Sequence, residues 1–320
     1  MRRVALVLAA VLLAAGCSAD QPAASPSAEE GQPVAAVDRD FPDPDVLVTD
    51  DRYLAFATNG NNRNVQVAES DDLQEWEVLS QDALPVLPSW VIPGKTWAPE
   101  VTELADGSFV MYFTATNYRP SVQCIGVATS AEAEGPYTVQ GEGMLVCPDE
   151  LGGAIDASTF DENGQLYLLW KNDGNCCGLD TWLYLAPLSS DGLTLAAEPR
   201  QLVKQTLEWE GDLVEAPTLL KHDDSYLLFY SSNSYGDERY AVGLATAASL
   251  EGPWTKNEQP FFSTESSGGE YRGPGGQDIV TTAEGEVHIV FHAWDEDYTY
   301  RGMFVEPVIW GDQPEVDLAD

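Results

Sequence analysis

Residues 215–232, EAPTLLKHDDSYLLFYSS, carry the pattern that decides the fold. An acid and a small residue open an apolar run, Asp223-Asp224 turn the chain, and an aromatic-rich run returns. This is the signature of two short antiparallel strands joined by a polar turn. Outward from this stretch the phrase recurs as DPDVLVTDDRYLAFAT (43–58), APEVTELADGSFVMYFTAT (98–116), IDASTFDENGQLYLLWKN (155–172) and GQDIVTTAEGEVHIVFHAW (276–294). A third strand follows in several copies: compare IGVATSAEAEGPY at 125–137 with VGLATAASLEGPW at 242–254. Measured between Asp45, Glu100, Asp156, Glu215 and Asp278, the periods are 55, 56, 59 and 63 residues. Five copies of this size, with three or four strands each and no long helical periodicity from residue 41 onward, predict an all-β, five-bladed β-propeller. A two-sheet sandwich would also be all-β, but gives no reason for near-identical phrases at a fixed period.

Composition bounds the partners. The 320 residues contain 53 Asp plus Glu against 15 Lys plus Arg, a formal charge of −38, which repels phosphate backbones and anionic lipid surfaces and excludes nucleic-acid binding. With 44% hydrophobic and 10% aromatic residues the chain has ample material for a core, so the acidity belongs to a solvated surface and not to a disordered chain. At the start, MRRVALVLAAVLLAAGC reads as a secretory signal too short to span a membrane. The small residues before Cys17 resemble a bacterial lipobox, although Ala14 stands where leucine is usual. The expected organisation is a lipoprotein signal at 1–16, a lipidated flexible tether at 17–37 and a catalytic propeller at 38–320. Cys17 would anchor it at the extracellular face of the membrane, the only membrane contact expected; plain secretion is the alternative. Cys124, Cys147, Cys176 and Cys177 have no zinc-ligand spacing with histidine, and an oxidising compartment makes disulfides the default. Cys124 with Cys147 fits one antiparallel sheet, and Cys176-Cys177 either bridge as neighbours or remain thiols. The sequence leaves this connectivity open.

In a propeller the first strand of each blade lines the axis, so residues at one phase of different repeats meet at one end of the channel. Setting Pro44 beside Pro217 and Asp43 beside Asp156 brings Asp43 and Asp156 to the same phase, with Glu215 one residue upstream. Carboxylates gathered in this way serve either hard-cation binding or glycosidic hydrolysis, in which one carboxylic acid protonates the leaving oxygen and one carboxylate activates water. A calcium loop of the Asp-x-Asp-x-Asp-Gly type is absent, and the acids come from different blades. Both points favour hydrolysis.

The motifs Phe41-Pro42-Asp43-Pro44-Asp45-Val46, Trp97-Ala98-Pro99-Glu100-Val101, Ile155-Asp156-Ala157-Ser158 and Val214-Glu215-Ala216-Pro217-Thr218-Leu219 with Lys221 resemble, in order and spacing, glycoside hydrolase family 43. The resemblance runs from about residue 40 to Trp310. It implies an inverting five-bladed propeller acting on arabinose- or xylose-containing plant polysaccharides. Asp43 matches the general base, Glu215 the general acid, and Asp156 the carboxylate that orients the acid and raises its pKa. Asp45 competes for the base because residues two apart on a strand face the same way; the family's proline after the base selects Asp43. Arg301 is similar to a last-blade arginine that binds the sugar, and Trp97 to an aromatic wall, with Trp90, Tyr118 and Trp294 as weaker candidates.

The expected activity is removal of terminal α-L-arabinofuranosyl units from arabinan or arabinoxylan by a monomer. β-Xylosidase, endo-arabinanase and a non-catalytic carbohydrate-binding propeller are the alternatives. The loops at 59–64, 117–123, 173–181 and 233–239 would set the pocket shape that separates the enzymes. One departure from the family stands out: its Gly-Pro-Gly-His is here Gly273-Pro274-Gly275-Gly276-Gln277, and neither His222, His288 nor His292 fills the place. No cofactor is therefore required; a structural calcium is in doubt, and Gln277 is expected to hold water instead.

Overall fold

Twenty short strands follow one another along the described chain and form five antiparallel sheets of four, each built from strands consecutive in sequence. The coordinates are a computed structural model, which describes residues 33–141, 143–311 and 313–318; the expected signal, Cys17 and most of the expected tether lie outside them. The five innermost strands are Asp45–Val48, Val91–Glu103, Ala154–Glu162, Val214–His222 and Arg272–Thr281. They are the first strands of blades one to five of the propeller, and each contacts the innermost strand of the next blade around the ring.

Five hydrophobic clusters occupy the five gaps between neighbouring blades. Phe56 of blade one meets Phe113 of blade two, Tyr112 meets Trp170 of blade three, Leu169 meets Leu228 of blade four, Phe229 meets Phe291 of blade five, and Val290 meets Ala55 of blade one. Successive side chains of a strand point to opposite faces, and here both faces are covered by a neighbour. That is why second strands such as Tyr53–Ala57 and Ser225–Ser232 read as nearly continuous apolar runs, and not as the alternating pattern of a sheet with one wet face.

The ring closes beside the chain start. Val37 exchanges both backbone hydrogen bonds with Met303 of the last blade, and the Phe41 N–H donates to the carbonyl of Arg301 at 2.9 Å. Val37, at the end of the expected tether, is buried where it pairs with the last blade. Cys124 is bonded to Cys147 and Cys176 to Cys177.

Besides bends at Gly94 and Gly273 in the second and fifth inner strands, each blade bends its inner approach at an equivalent residue with positive φ: Asp43, Ala98, Asp156, Ala216 and Gly276. In blades two to five the ladder slips at this point, a bulge that re-aims side chains. These positions lie 55, 58, 60 and 60 residues apart, a more even spacing than the acids used above. Asp45, Glu100 and Asp278 are equivalent, but their partners in blades three and four are Ser158 and Thr218; Asp156 and Glu215 stand at earlier phases. The pairing of Asp43 with Asp156, and of Glu215 one residue upstream, agrees with the bulge positions.

Candidate active site

The backbone N–H at each bulge would be unpaired within its own sheet, and a side chain of another blade takes it up. Thr58 accepts from Ala98, Thr114 from Asp156, Ser231 from Gly276 and the His292 Nδ1 from Asp43, at 2.9–3.1 Å. Ala216 differs in its acceptor, which is itself a bulge residue: its N–H donates 3.0 Å to the Asp156 carboxylate. Two residues further along, a second ring lies deeper in the channel. Asp45 accepts from the Val101 N–H, Glu100 from Thr159 and Asp278 from Val46, at 2.8–2.9 Å. Ser158 and Thr218 complete the circle by donating to the carbonyls of Pro217 and Gln277.

Above the first ring opens a cavity of about 880 Å³, a size that accommodates a small ligand, with Asp43, Asp156 and Glu215 in its wall. Asp43 receives the Thr58 hydroxyl on Oδ2 at 2.6 Å, while Arg301 Nη1 lies 3.8 Å and His292 Nδ1 3.4 Å from Oδ1. Burial and the charge of Arg301 hold the His292 imidazole well below its usual pKa, so a neutral ring accepts the Asp43 N–H; its buried Nε2 has no partner. Glu215 receives the Tyr240 hydroxyl on Oε1 at 2.8 Å and the Lys171 ammonium on Oε2 at 3.0 Å. Burial first, and then the charge of Glu215, hold Asp156 well above the usual carboxylate range, against the pull of Lys171. Burial and the nearby charges of Glu215, Asp156 and Asp43 likewise raise Tyr240, which keeps its proton and serves as a donor.

Trp97 and Arg301 also line the cavity. The other aromatic candidates do not. Trp90 stacks on Phe113 at 6.1 Å within the packing between blades one and two, because it stands in the tight approach to the second inner strand. Tyr118 is 57% exposed and outside the wall. Trp294 sits behind Arg301, whose guanidinium lies 5.7 Å from its ring and 5.0 Å from that of Tyr235, an unanticipated wall residue. Of the four expected loops, 173–181 and 233–239 contribute, while 59–64 and 117–123 do not; Glu208, Gly211, Asp212 and Leu213 supply the rest of that side. Thr58, Lys171, Asp173 and Tyr240 were also missed. Only Lys171 left a trace, as a lone charge within the apolar run LYLLWKN.

Gln277 lies in the narrow channel below, with Oε1 accepting from Ser231 and Nε2 donating to the Ala216 carbonyl, both at 2.7 Å. At the neighbouring position a Cβ on Gly276 would stand 2.5 Å from the His292 ring and 2.7 Å from Asp43 Oδ1. His292 thus fills the space that a histidine at 276 would need. Gly276 offers no side chain to a central ion, and each of the deeper carboxylates accepts a backbone N–H on one oxygen. Among the described residues no group of three or more His, Cys, Asp or Glu is arranged to hold a metal.

Five blades around one open cavity thus bring together three carboxylates, Trp97 and Arg301. The family model for glycosyl hydrolases family 43 matches residues 31–313. An extracellular exo-α-(1→5)-L-arabinofuranosidase of Streptomyces avermitilis is 27% identical over 69% of this chain and 46% of its own length. An extracellular endo-α-(1→5)-L-arabinanase of Thermotoga petrophila is 28% identical over 66% of this chain and 50% of its own. The chain thus spans about half the length of these curated relatives. A crystal structure of a thermostable family-43 glycoside hydrolase superposes with a TM-score of 0.76 at 27% identity, covering 87% of this chain and 93% of that one. The chain belongs to glycosyl hydrolases family 43.

Proposed function

We propose that the protein is an inverting exo-α-L-arabinofuranosidase that removes terminal arabinofuranosyl units from arabinan or arabinoxylan. The observation that carries this reading is the meeting of Asp43, Asp156 and Glu215 from three blades in one cavity beside Trp97 and Arg301. Glu215 gives its proton to the departing glycosidic oxygen as the C–O bond breaks. Asp43 takes a proton from a water whose oxygen bonds to the anomeric carbon from the opposite face. Asp156, through Ala216, fixes the bulge from which Glu215 projects. One water is added, the anomeric centre inverts, and solvent exchange restores both carboxyls. An inverting pair stands roughly 6.5–9.5 Å apart to admit that water. No cofactor is needed for these steps.

The exo reading draws on the Streptomyces relative and the endo alternative on the Thermotoga one. Incubation with arabinan, arabinoxylan and the aryl arabinofuranoside and xyloside separates them: free arabinose supports the first, oligosaccharides the second, and xylose release a β-xylosidase. Absence of turnover would leave a binding propeller. Replacing Glu215 by Gln is expected to cripple turnover of sugars with poor leaving groups while largely sparing activated aryl glycosides. Equal loss on both would remove Glu215 as the acid, and NMR of the first-formed anomer tests inversion. We also propose that a signal at 1–16 leads a monomer outside the cell, where Cys17 carries the lipid; Cys17→Ser should then release it from the membrane fraction.

A further inference from the structure

Five positions on the second strands stand two residues beyond the partners of the channel ring. Asp45, Glu100, Ser158, Thr218 and Asp278 pair with Phe56, Tyr112, Leu169, Phe229 and Val290, so the five positions are Thr58, just past the end of its strand, Thr114, Lys171, Ser231 and His292. Four of them accept the N–H of the next blade's bulge. An ammonium has no lone pair and cannot do so. Blade three alone breaks the pattern, and the task falls there to Asp156. Lys171 instead reaches Glu215 at 3.0 Å and Asp173 at 3.5 Å with a side chain only 1% exposed. A buried ammonium costs several kcal/mol unless it is well paired, and a threonine would have met the fold's requirement as it does in blades one and two.

We propose that Lys171 is a positioning residue for the acid: with Tyr240 it grips both oxygens of Glu215, and its charge sets the alkaline limit of the reaction. This rests on the reading of Glu215 as the acid. An ammonium at this distance favours the ionised form of a carboxyl, whereas neighbouring carboxylates favour the neutral form. Tyr240 supplies a neutral donor, backed by the stacked ring of His292 at 5.7 Å. Asp43, beside Arg301, acts from across the cavity, and Lys95, Glu208, Asp212 and Arg239 complete its charged lining. Burial disfavours the charge on Lys171, but Glu215, Asp156 and Asp173 outweigh it and hold its pKa above the usual value, so the cation persists throughout the working range.

The test is the pH profile of kcat/KM on arabino-oligosaccharide, measured beside thermal unfolding. Lys171→Thr restores the pattern of blades one and two, and its alkaline limb should move up by about one pH unit or more. Lys171→Arg keeps the charge and should leave the limb near its original place. Asp173→Asn removes an opposing charge and should move the limb down, a result that stands even where Lys171→Thr fails to fold. A limb unmoved in Asp173→Asn, or in a folded Lys171→Thr whose activity merely falls, overturns the proposal and makes Lys171 a structural ion pair. Glu215→Gln separates the two failures. Equal loss on oligosaccharide and aryl substrates removes the acid assignment itself, whereas a selective loss with an unmoved limb removes only the role of Lys171.

Discussion

Asp43 and Asp45 flank the same proline, one at the mouth of the channel and one inside it. Asp43 faces the large cavity, with a hydroxyl, an arginine and a neutral imidazole around it. Asp45 is buried and accepts the N–H of Val101 from the next blade. The two rings that they represent use one residue type for different ends. At the mouth, Asp43 and Glu215 are left with side-chain partners and open space, which suits proton transfer, while Asp156 also accepts the Ala216 N–H. In the channel they fasten blade to blade. What a carboxylate does in this molecule follows from its partner, and a shift of two residues changes that partner.

The largest effect that can sharpen the contrast is expected at Asp43. Asp43→Asn should lower kcat by roughly 10²–10⁴-fold on oligosaccharide and aryl substrate alike, since water must be activated whatever the leaving group, with thermal unfolding little changed. Asp45→Ala should do the reverse. It leaves the Val101 N–H unpaired and is expected to cost about 1–3 kcal/mol in denaturant unfolding, while kcat per folded molecule stays within a few-fold. If Asp45→Ala abolishes turnover in a folded protein, the division between the rings fails.

A smaller effect concerns pH. Burial pushes Glu100 up to about 7 and Asp278 up to about 6, and raises Asp45 well above the carboxylate range, with the charges of Glu100 and Asp278 adding to it. A raised folded pKa means that the native state binds more protons than the unfolded chain, so this ring favours folding most below the unfolded values near 4 and loses that advantage as pH rises to about 7. Stability should therefore decline between pH 4 and 7. Glu100→Gln should make that decline smaller than in the parent by up to about 3 kcal/mol across the window, a comparison that cancels the general repulsion of the acidic surface. Parallel slopes in the two proteins would show that Glu100 does not titrate in this window.

Much of this was legible in the chain. The five phrases expose the blades, the Asp43 and Asp156 phrases align at one phase, and Pro44 beside Pro217 puts Glu215 one residue upstream. The finer register was not legible, because Asp156 and Glu215 resemble the acids of Asp45, Glu100 and Asp278 in composition while standing at different points of the bulge. A bulge depends on backbone dihedrals, which an acid in an apolar run does not reveal. Trp90 and Tyr118 failed for a related reason: an aromatic near a strand start can face a neighbouring blade or open solvent as readily as a sugar. Tyr240 and the loop around Glu208–Leu213 leave no mark in the sequence as site residues, and Lys171 only a lone charge in an apolar run, since they come from second strands and connections whose direction is set by packing.

The sequence by itself determined the number of blades and the family, because a repeated unit must stack against copies of itself around one axis. Only the tertiary structure decided which acids hold the ring together and which face the cavity, that His292 occupies the space beside Gly276, and that a lysine stands where other blades place an acceptor. Those outcomes depend on contacts between neighbouring blades, between groups tens to hundreds of residues apart, and on backbone bends that place a side chain by a few ångströms.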